Sequence, residues 1–297
     1  MNTLISYPER GDYGKNSYRG NCSGKLIEDI INQYKLEGLS DFMVGSGTTE
    51  DVVNAFGLRG FFTDLNRGYD MLNMDIPERA ENIVWHPPYH DMIVYSGKQY
   101  SDKDIIKKYG FDPKEVDLSR CADWNEFVKK MNYCMMKQFA ALEKGGRMFT
   151  LVGDMKKKGV LYSMLCDIIK PGTLEQIIIK TQHNCESFRN SYSNLNFVPI
   201  VHEYLIVTKK ESGLIIPVSV STKASVDIRK MRSPSWRDVL IAVLEEFNRP
   251  MSLNEIYQQI QASPKTAANF HWKEKIRQTL QDEKYFNRRE KGIYTIR

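Results

Sequence analysis

Five cysteines are spread through 297 residues, and no two of them stand in a Cys-X-X-Cys pair. Cys22, Cys121, Cys134, Cys166 and Cys185 are odd in number and widely spaced. That argues against a disulfide framework and against a cysteine zinc site. The five histidines, His86, His90, His183, His202 and His271, give no metal-ligand spacing. His86 and His90 stand four apart, but Pro87 and Pro88 between them forbid a shared helix face. No metal is expected. No apolar run approaches the roughly 18 residues that span a bilayer, so no membrane partner is expected either. Met1–Arg10 carries polar and charged residues where a signal peptide needs an apolar core, and a cytoplasmic location is expected. Repeats and low-complexity tracts are absent.

What charge there is lies unevenly. The chain carries a net +5, and residues 263–297 alone hold nine Lys or Arg against four acids, which is again +5. A basic end piece on a near-neutral body points to a polyanion partner.

Periodicity predicts helices over 26–34, 48–56, 125–142 and 161–168, and strands over 39–44, 60–63, 83–85, 147–152, 174–180 and 202–209. Strands alternating with helices imply an α/β fold whose mostly parallel sheet is covered on both faces. Residues 97–123 are polar and lack a strong period, as an insertion or lid would. Residues 1–212 are expected to form one domain and 213–232 a linker. Beyond it, 235–248 is amphipathic, and Ser252 with Glu255 forms a capping box for a helix to about Ile260. A third helix over 270–280 and a hairpin over 285–296 complete the pattern. Three helices and a basic hairpin make a winged helix-turn-helix over 233–297. Its third helix, with Asn269, His271, Lys273 and Arg277, is expected in the major groove, and Arg288, Arg289 and Lys291 on phosphates.

Two short segments carry the chemistry. The first is Asp41-Phe42-Met43-Val44-Gly45-Ser46-Gly47-Thr48-Thr49. A strand that runs into Gly-X-Gly and then a helix lets backbone approach a nucleotide-like ligand closely. Asp64, at the end of the next strand with Leu65 and Asn66, lies 17 residues past Gly47, near the spacing at which a carboxylate meets ribose hydroxyls. The second segment is His86-Pro87-Pro88-Tyr89, a rigid shelf with an aromatic ring behind an apolar strand. An exocyclic aryl amine is a poor nucleophile, because its lone pair is delocalised into the ring. Two hydrogen-bond acceptors, the residue 86 side chain and the Pro87 carbonyl, can draw that nitrogen toward tetrahedral geometry. Proline suits the task because its φ is fixed and it offers no competing N–H. Tyr89 can stack on the base.

Together the two segments resemble the signature motifs of the S-adenosylmethionine-dependent DNA amino-methyltransferases, which modify adenine N6 or cytosine N4. The resemblance covers roughly residues 16–210. It includes Tyr18-Arg19-Gly20-Asn21-Cys22 as a cofactor-tail motif, Leu142–Arg147 before a strand, and Val201–Lys210 as a late strand. It implies a Rossmann-like methyltransferase domain with S-adenosylmethionine held by Arg19, Asp41, Phe42, Gly45, Ser46, Gly47, Thr48, Thr49, Asp64, Asn66 and Asp75. It makes His86, Pro87, Pro88 and Tyr89 the catalytic segment. Two departures stand out: Asp41 is followed directly by Phe42 where the family has an intervening proline, and His86 replaces the usual Asp, Asn or Ser. A neutral imidazole can accept a hydrogen bond, and an imidazolium cannot.

The implied partner is double-stranded DNA with the target base flipped out. A cognate restriction nuclease and a homodimer are the further associations the resemblance admits. Pro-Pro-Tyr after a residue other than serine leans to adenine. Cytosine N4, an RNA base or a protein glutamine are alternative substrates, and a DNA-binding subunit with a degenerate site is the non-enzymatic alternative. Room for a large recognition domain between the two motifs is absent, so target recognition is expected from residues 97–123, from 183–196 and from the C-terminal module.

Overall fold

The computed structural model describes residues 1–183, 198–222 and 224–297. The chain divides into two compact units, 1–221 and 222–297. The first is mixed α/β. Its elements are β1 (Leu4–Ser6), α1 (Gly24–Tyr34), α2 (Thr48–Ala55), β2 (Ile83–Trp85), α3 (Asp102–Tyr109), α4 (Pro113–Val116), α5 (Trp124–Ala141), β3 (Arg147–Val152), β4 (Asp154–Lys157), β5 (Val160–Ser163), α6 (Met164–Asp167), β6 (Lys170–Pro171), β7 (Thr173–Thr181), β8 (His202–Lys209) and β9 (Val218–Ser219).

The central sheet has the order β1-β7-β8-β3-β2. β1 runs parallel to β7 and β2 to β3, while β8 is antiparallel to both β3 and β7. Beyond β2 the sheet continues through single bridges rather than a full ladder. Ser40 pairs with Ile83, Asp41 with Phe62 and Gly38 with Arg59, all parallel. The expected strand over 39–44 is thus a short extended segment, and the expected strand over 60–63 is its outer neighbour. Asn82 holds the join by donating Nδ2 to the Gly38 carbonyl at 3.0 Å and accepting from the Arg147 amide at 3.0 Å.

Side-chain alternation builds a core on each sheet face. Ile83, Trp85, Met148, Val152 and Ile206 point to one face, against Phe127, Met131 and Phe139 of α5. Val84, Phe149, Leu151, Leu205 and Val207 point to the other, against Leu26, Ile27 and Ile30 of α1 and Val52 and Val53 of α2. Covering both faces of a mostly parallel sheet places the strand ends as the exposed crevice in which ligands of such sheets bind.

Two expectations change here. Residues 160–163 are strand and only 164–167 helix, because Lys158 and Gly159, both at positive φ, turn the chain into a hairpin of β4 with β5. Residues 213–232 are not one linker. β9 pairs with β6 and Ile216 packs on the first core, so the chain up to 221 belongs with the first unit. The polar stretch 97–123 is folded, with Ser101, Asp112 and Asp117 each accepting a backbone amide at the start of a helical turn.

The second unit contains α7 (Trp236–Phe247), β10 (Met251–Ser252), α8 (Leu253–Ile260), α9 (Pro264–Ala267), α10 (Trp272–Thr279), β11 (Phe286–Glu290) and β12 (Ile293–Ile296). Both α7 and α8 start in capping boxes, Ser235 with Asp238 and Ser252 with Glu255. The three strands form an antiparallel sheet in the order β10-β12-β11. Val239, Leu240, Val243, Ile256, Ile276 and Phe286 form its core. Among the described residues no helix is long and apolar enough to cross a membrane.

Candidate active site

Two clefts of the first unit share a wall made of Tyr18, Gly20, Asn21, His86 and Tyr95. The first lies at the ends of the 38–44 segment, its outer neighbour and β2, where the strands run out into turns. Val44 leads into Gly45 (φ 50°) and Gly47 (φ 87°), which caps α2. Both glycines adopt the left-handed region that costs other residues most. A Cβ on Gly45 would stand 3.2 Å from the Tyr18 ring. The turn is held from below by Asp64, whose Oδ2 accepts the Gly45 amide and whose Oδ1 accepts the Asn66 amide, both at 3.0 Å. An N-terminal loop crosses its other side, with the Lys15 amide on the Ser46 carbonyl at 3.0 Å and the Gly14 amide on Asp51 at 2.8 Å.

Asp41, Phe42, Gly45, Ser46, Thr48, Thr49 and Asp64 all line this first cleft, as do His86 and Pro88. Asp41 is buried, accepting from the Thr49 hydroxyl at 2.7 Å and the Met43 amide at 3.0 Å. Burial nevertheless raises its carboxyl to about 7, against the pull of those two hydrogen bonds. Asp64 is raised as well, again by burial, with the Asn66 and Gly45 amides opposing.

Arg19, Gly47, Asn66 and Asp75 stand elsewhere. Arg19 lines the second cleft instead. Gly47 shapes the turn as the α2 cap, and Asn66 lends its backbone to Asp64; neither is in the cleft wall. Asp75 is exposed and outside both clefts. The acid that organises this stretch is Asp70. It is buried and accepts the Leu72 amide at 2.9 Å and the Asn73 side chain at 2.6 Å. That turn presents Tyr69, Met71 and Leu72 to the cleft and leaves Asp75 in solvent.

The insertion supplies the opposite wall. Tyr100, Val116, Asp117 and Leu118 face the first cleft, so part of the segment expected to recognise the target closes the glycine-turn side. Tyr95 lies 5.8 Å from Tyr18, ring to ring. The Tyr100 hydroxyl is buried and has no hydrogen-bond partner among the described residues, a capacity that a ligand in the cleft can use. Sequence patterning gave no signal for this tyrosine. The other recognition segment, 183–196, lies outside the described residues except for His183, whose Nε2 is 2.8 Å from Ser6 Oγ.

The second cleft is lined by Arg19, Pro87, Tyr89, Lys156, Lys157 and Lys180 among others, and opens toward the first at His86. Pro88 faces the first cleft and Pro87 the second. His90, in left-handed backbone (φ 47°), anchors the end of the segment, with Nε2 3.1 Å from the Cys121 carbonyl oxygen. Tyr89 is tied at both ends. Its ring packs where a Cβ on Gly153 would stand 2.7 Å away, and its hydroxyl donates to Glu203 Oε1 at 2.7 Å. Glu203 Oε2 accepts from Lys180 Nζ at 2.7 Å. His86 Nε2 lies 3.1 Å from the Tyr89 hydroxyl and 3.8 Å from Glu203. Burial lowers the His86 pKa, with Lys180 acting the same way and Glu203 against them. Burial alone would raise the Glu203 carboxyl. The charges of Lys180 and His86, with hydrogen bonds from Lys180 and Tyr89, overcome it and hold the group at about 2. The resemblance pointed to Tyr89 but not to this buried chain of partners, which comes from two distant strands.

In the second unit, α10 starts later than expected, so Asn269 and His271 precede it, the His271 amide donating to Asn269 Oδ1 at 2.9 Å. Lys273 stands over the Tyr257 and Trp272 rings, and Arg277 pairs with Glu274 at 2.9 Å. Arg288, Arg289 and Lys291 are exposed at the β11–β12 turn. Phe270, at 99% exposure, stands between Asn269 and His271. Among the described residues no group of three or more His, Cys, Asp or Glu is placed to hold a metal ion.

No protein-family model matches the chain, and no curated protein matches it.

Proposed function

We propose that this chain is an S-adenosylmethionine-dependent methyltransferase acting on the exocyclic amine of a base flipped out of duplex DNA, with adenine N6 as the target. The observation that carries the reading is the junction at His86. A cleft built on a glycine turn and two buried acids meets, along a wall that includes His86, a cleft built on Pro87 and Tyr89. The strand order supports a Rossmann-like methyltransferase unit, with the glycine turn, Asp64 and His86 following three neighbouring parallel segments.

The residues present fit the cofactor. Gly45 lines the cleft with backbone that can approach it, Gly47 holds the turn, and the buried Tyr100 hydroxyl has no hydrogen-bond partner among the described residues. Asp64 is at hand for hydroxyls and Asp41 for a cationic group. When bound, S-adenosylmethionine supplies an electrophilic methyl on a sulfonium. The chain's own part is to align the amine and to accept its hydrogens. A neutral His86 serves as one acceptor and the Pro87 carbonyl as the other. Asp75, exposed as it is, has no part in this reading.

Helix, strand, three helices and two strands, with the strand order β10-β12-β11, support a winged helix in the second unit. Its exposed Arg288, Arg289 and Lys291 suit phosphates. Transfer of labelled methyl to duplex DNA tests the reaction, and a salt titration tests the second unit. Replacing Arg288 and Arg289 with Ala should weaken duplex binding at every sequence. It should also flatten the log-affinity against log-salt slope by about two, at roughly 0.9 per lost phosphate contact. An unchanged slope would remove the turn from the DNA interface.

A further inference from the structure

We infer that His86 meets the substrate amine through Nδ1, because Tyr89 and Glu203 fix the ring proton on Nε2. The inference rests on the methyltransferase reading for its substrate and on geometry for its tautomer.

Glu203 sits on β8 with both carboxylate oxygens engaged, Oε2 by Lys180 of β7 and Oε1 by the Tyr89 hydroxyl, each at 2.7 Å. An ionised carboxylate only accepts, so both partners donate to it. A tyrosine has one hydroxyl hydrogen, and Tyr89 spends it on Glu203. His86 Nε2 is 3.1 Å from that same hydroxyl oxygen. The contact is then a hydrogen bond only if Nε2 carries the hydrogen. A neutral imidazole has one N–H, which leaves Nδ1 with the lone pair. Among the described residues Nδ1 has no hydrogen-bond partner, and the ring lines both clefts.

The order of donation is Lys180 to Glu203, Tyr89 to Glu203, and His86 to Tyr89. A chain ending on a carboxylate makes Nδ1 more basic, as carboxylate partners do for metal-bound histidines. The charged or titratable groups acting on His86 and Tyr89 include Glu203 from β8, Lys180 from β7, and Tyr95 and Cys22 from the neighbouring loops, while Arg19, Asp154, Lys156, Lys157 and His202 line the same cleft. Burial and Lys180 favour the neutral ring before reaction. During reaction the amine nitrogen gives its lone pair to the methyl carbon as the carbon–sulfur bond breaks toward sulfur. The proton then in excess on nitrogen passes to Nδ1, and the imidazolium, 3.8 Å from Glu203, returns it to solvent. Tyr89, Glu203 and Lys180 are positioning residues in this scheme.

Two measurements on the full chain test it. In nitrogen-15 long-range spectra near pH 8, with His86→Asn identifying the signal, His86 should show a protonated Nε2 and a pyridine-like Nδ1. Tyr89→Phe should move population toward the other tautomer. A protonated Nδ1 in the parent protein would overturn the inference. The second measurement compares amides. His86→Asn places an amide oxygen near the Nδ1 position, whereas His86→Gln reaches toward Nε2. Methyl transfer by His86→Asn should exceed that of His86→Gln by roughly tenfold or more, the scale of a positioned acceptor. The reverse order would also overturn it. Absence of transfer by the parent protein, with Nε2 protonated, would instead defeat the methyltransferase reading and leave the tautomer assignment standing.

Discussion

Asp41→Asn should melt well above the parent protein at pH 8, and the gap should close as the pH falls to 4. Asp41 is buried beside a second buried acid, Asp64, and its carboxyl is raised to about 7 from an ordinary 3.8. A carboxyl whose folded pKa is raised contributes stability that is fully present below about 3.8 and is lost as pH rises through about 7. Three pH units at about 1.4 kcal/mol each make the loss on the order of 4 kcal/mol at pH 8. An asparagine oxygen can still accept the Met43 amide, and its NH2 can donate to a rotated Thr49 hydroxyl, so the hydrogen bonds survive without the charge. A gain near 4 kcal/mol corresponds to roughly 10 °C in a unit of this size. Affinity for S-adenosylmethionine should fall about tenfold or more, the scale of a hydrogen bond to a charged group. Equal melting temperatures at pH 8 would show that the carboxylate is fully compensated in the fold.

Lys180→Met should cost about 3–5 kcal/mol at neutral pH, the usual penalty for stripping one partner from a buried ion pair. Lys180 and Glu203 side chains are 10% and 7% exposed, and among the described residues no second Lys or Arg pairs with Glu203 Oε2. In the parent protein the Glu203 carboxyl is held at about 2. Its contribution is therefore present above about 4.5 and lost as pH falls toward 2. Without Lys180 burial dominates and the carboxyl rises, so the variant's deficit should be largest near neutrality and should shrink in acid. Adding Glu203→Leu should recover most of the stability, because an apolar pair of similar volume tolerates this site. Methyl transfer should stay low, since Tyr89 then has no carboxylate to hold. Full activity in the double variant would separate Glu203 from the chemistry.

Local signals made much of this molecule legible. The alternation that buries Val84 on one sheet face and Ile83 and Trp85 on the other, the glycine turn before α2, and the capping box at Ser252 are all decided within a few residues. The cleft residues from Asp41 to Thr49 follow from the same turn. What escaped depended on distant parts of the chain. Asp75 lost its expected place because Asp70 closes the turn ahead of it. Tyr100 became a cleft residue because the insertion folds across the glycine turn. Glu203 and Lys180 meet under Tyr89 through the register of two strands, a pairing that no short pattern carries. The hairpin at Lys158–Gly159 replaced an expected helix because two residues at positive φ outweigh a weak apolar period.

The most direct measurement is transfer of labelled methyl from S-adenosylmethionine to mixed-sequence duplex DNA by the parent protein and by His86→Ala, with the nucleosides separated afterwards. Label on adenine N6 with the parent protein, abolished in His86→Ala while S-adenosylmethionine still binds, is the predicted result. Label on cytosine N4 would keep the mechanism and change the base. Unlabelled DNA from a parent protein that still binds S-adenosylmethionine would contradict the account and turn the search to another substrate.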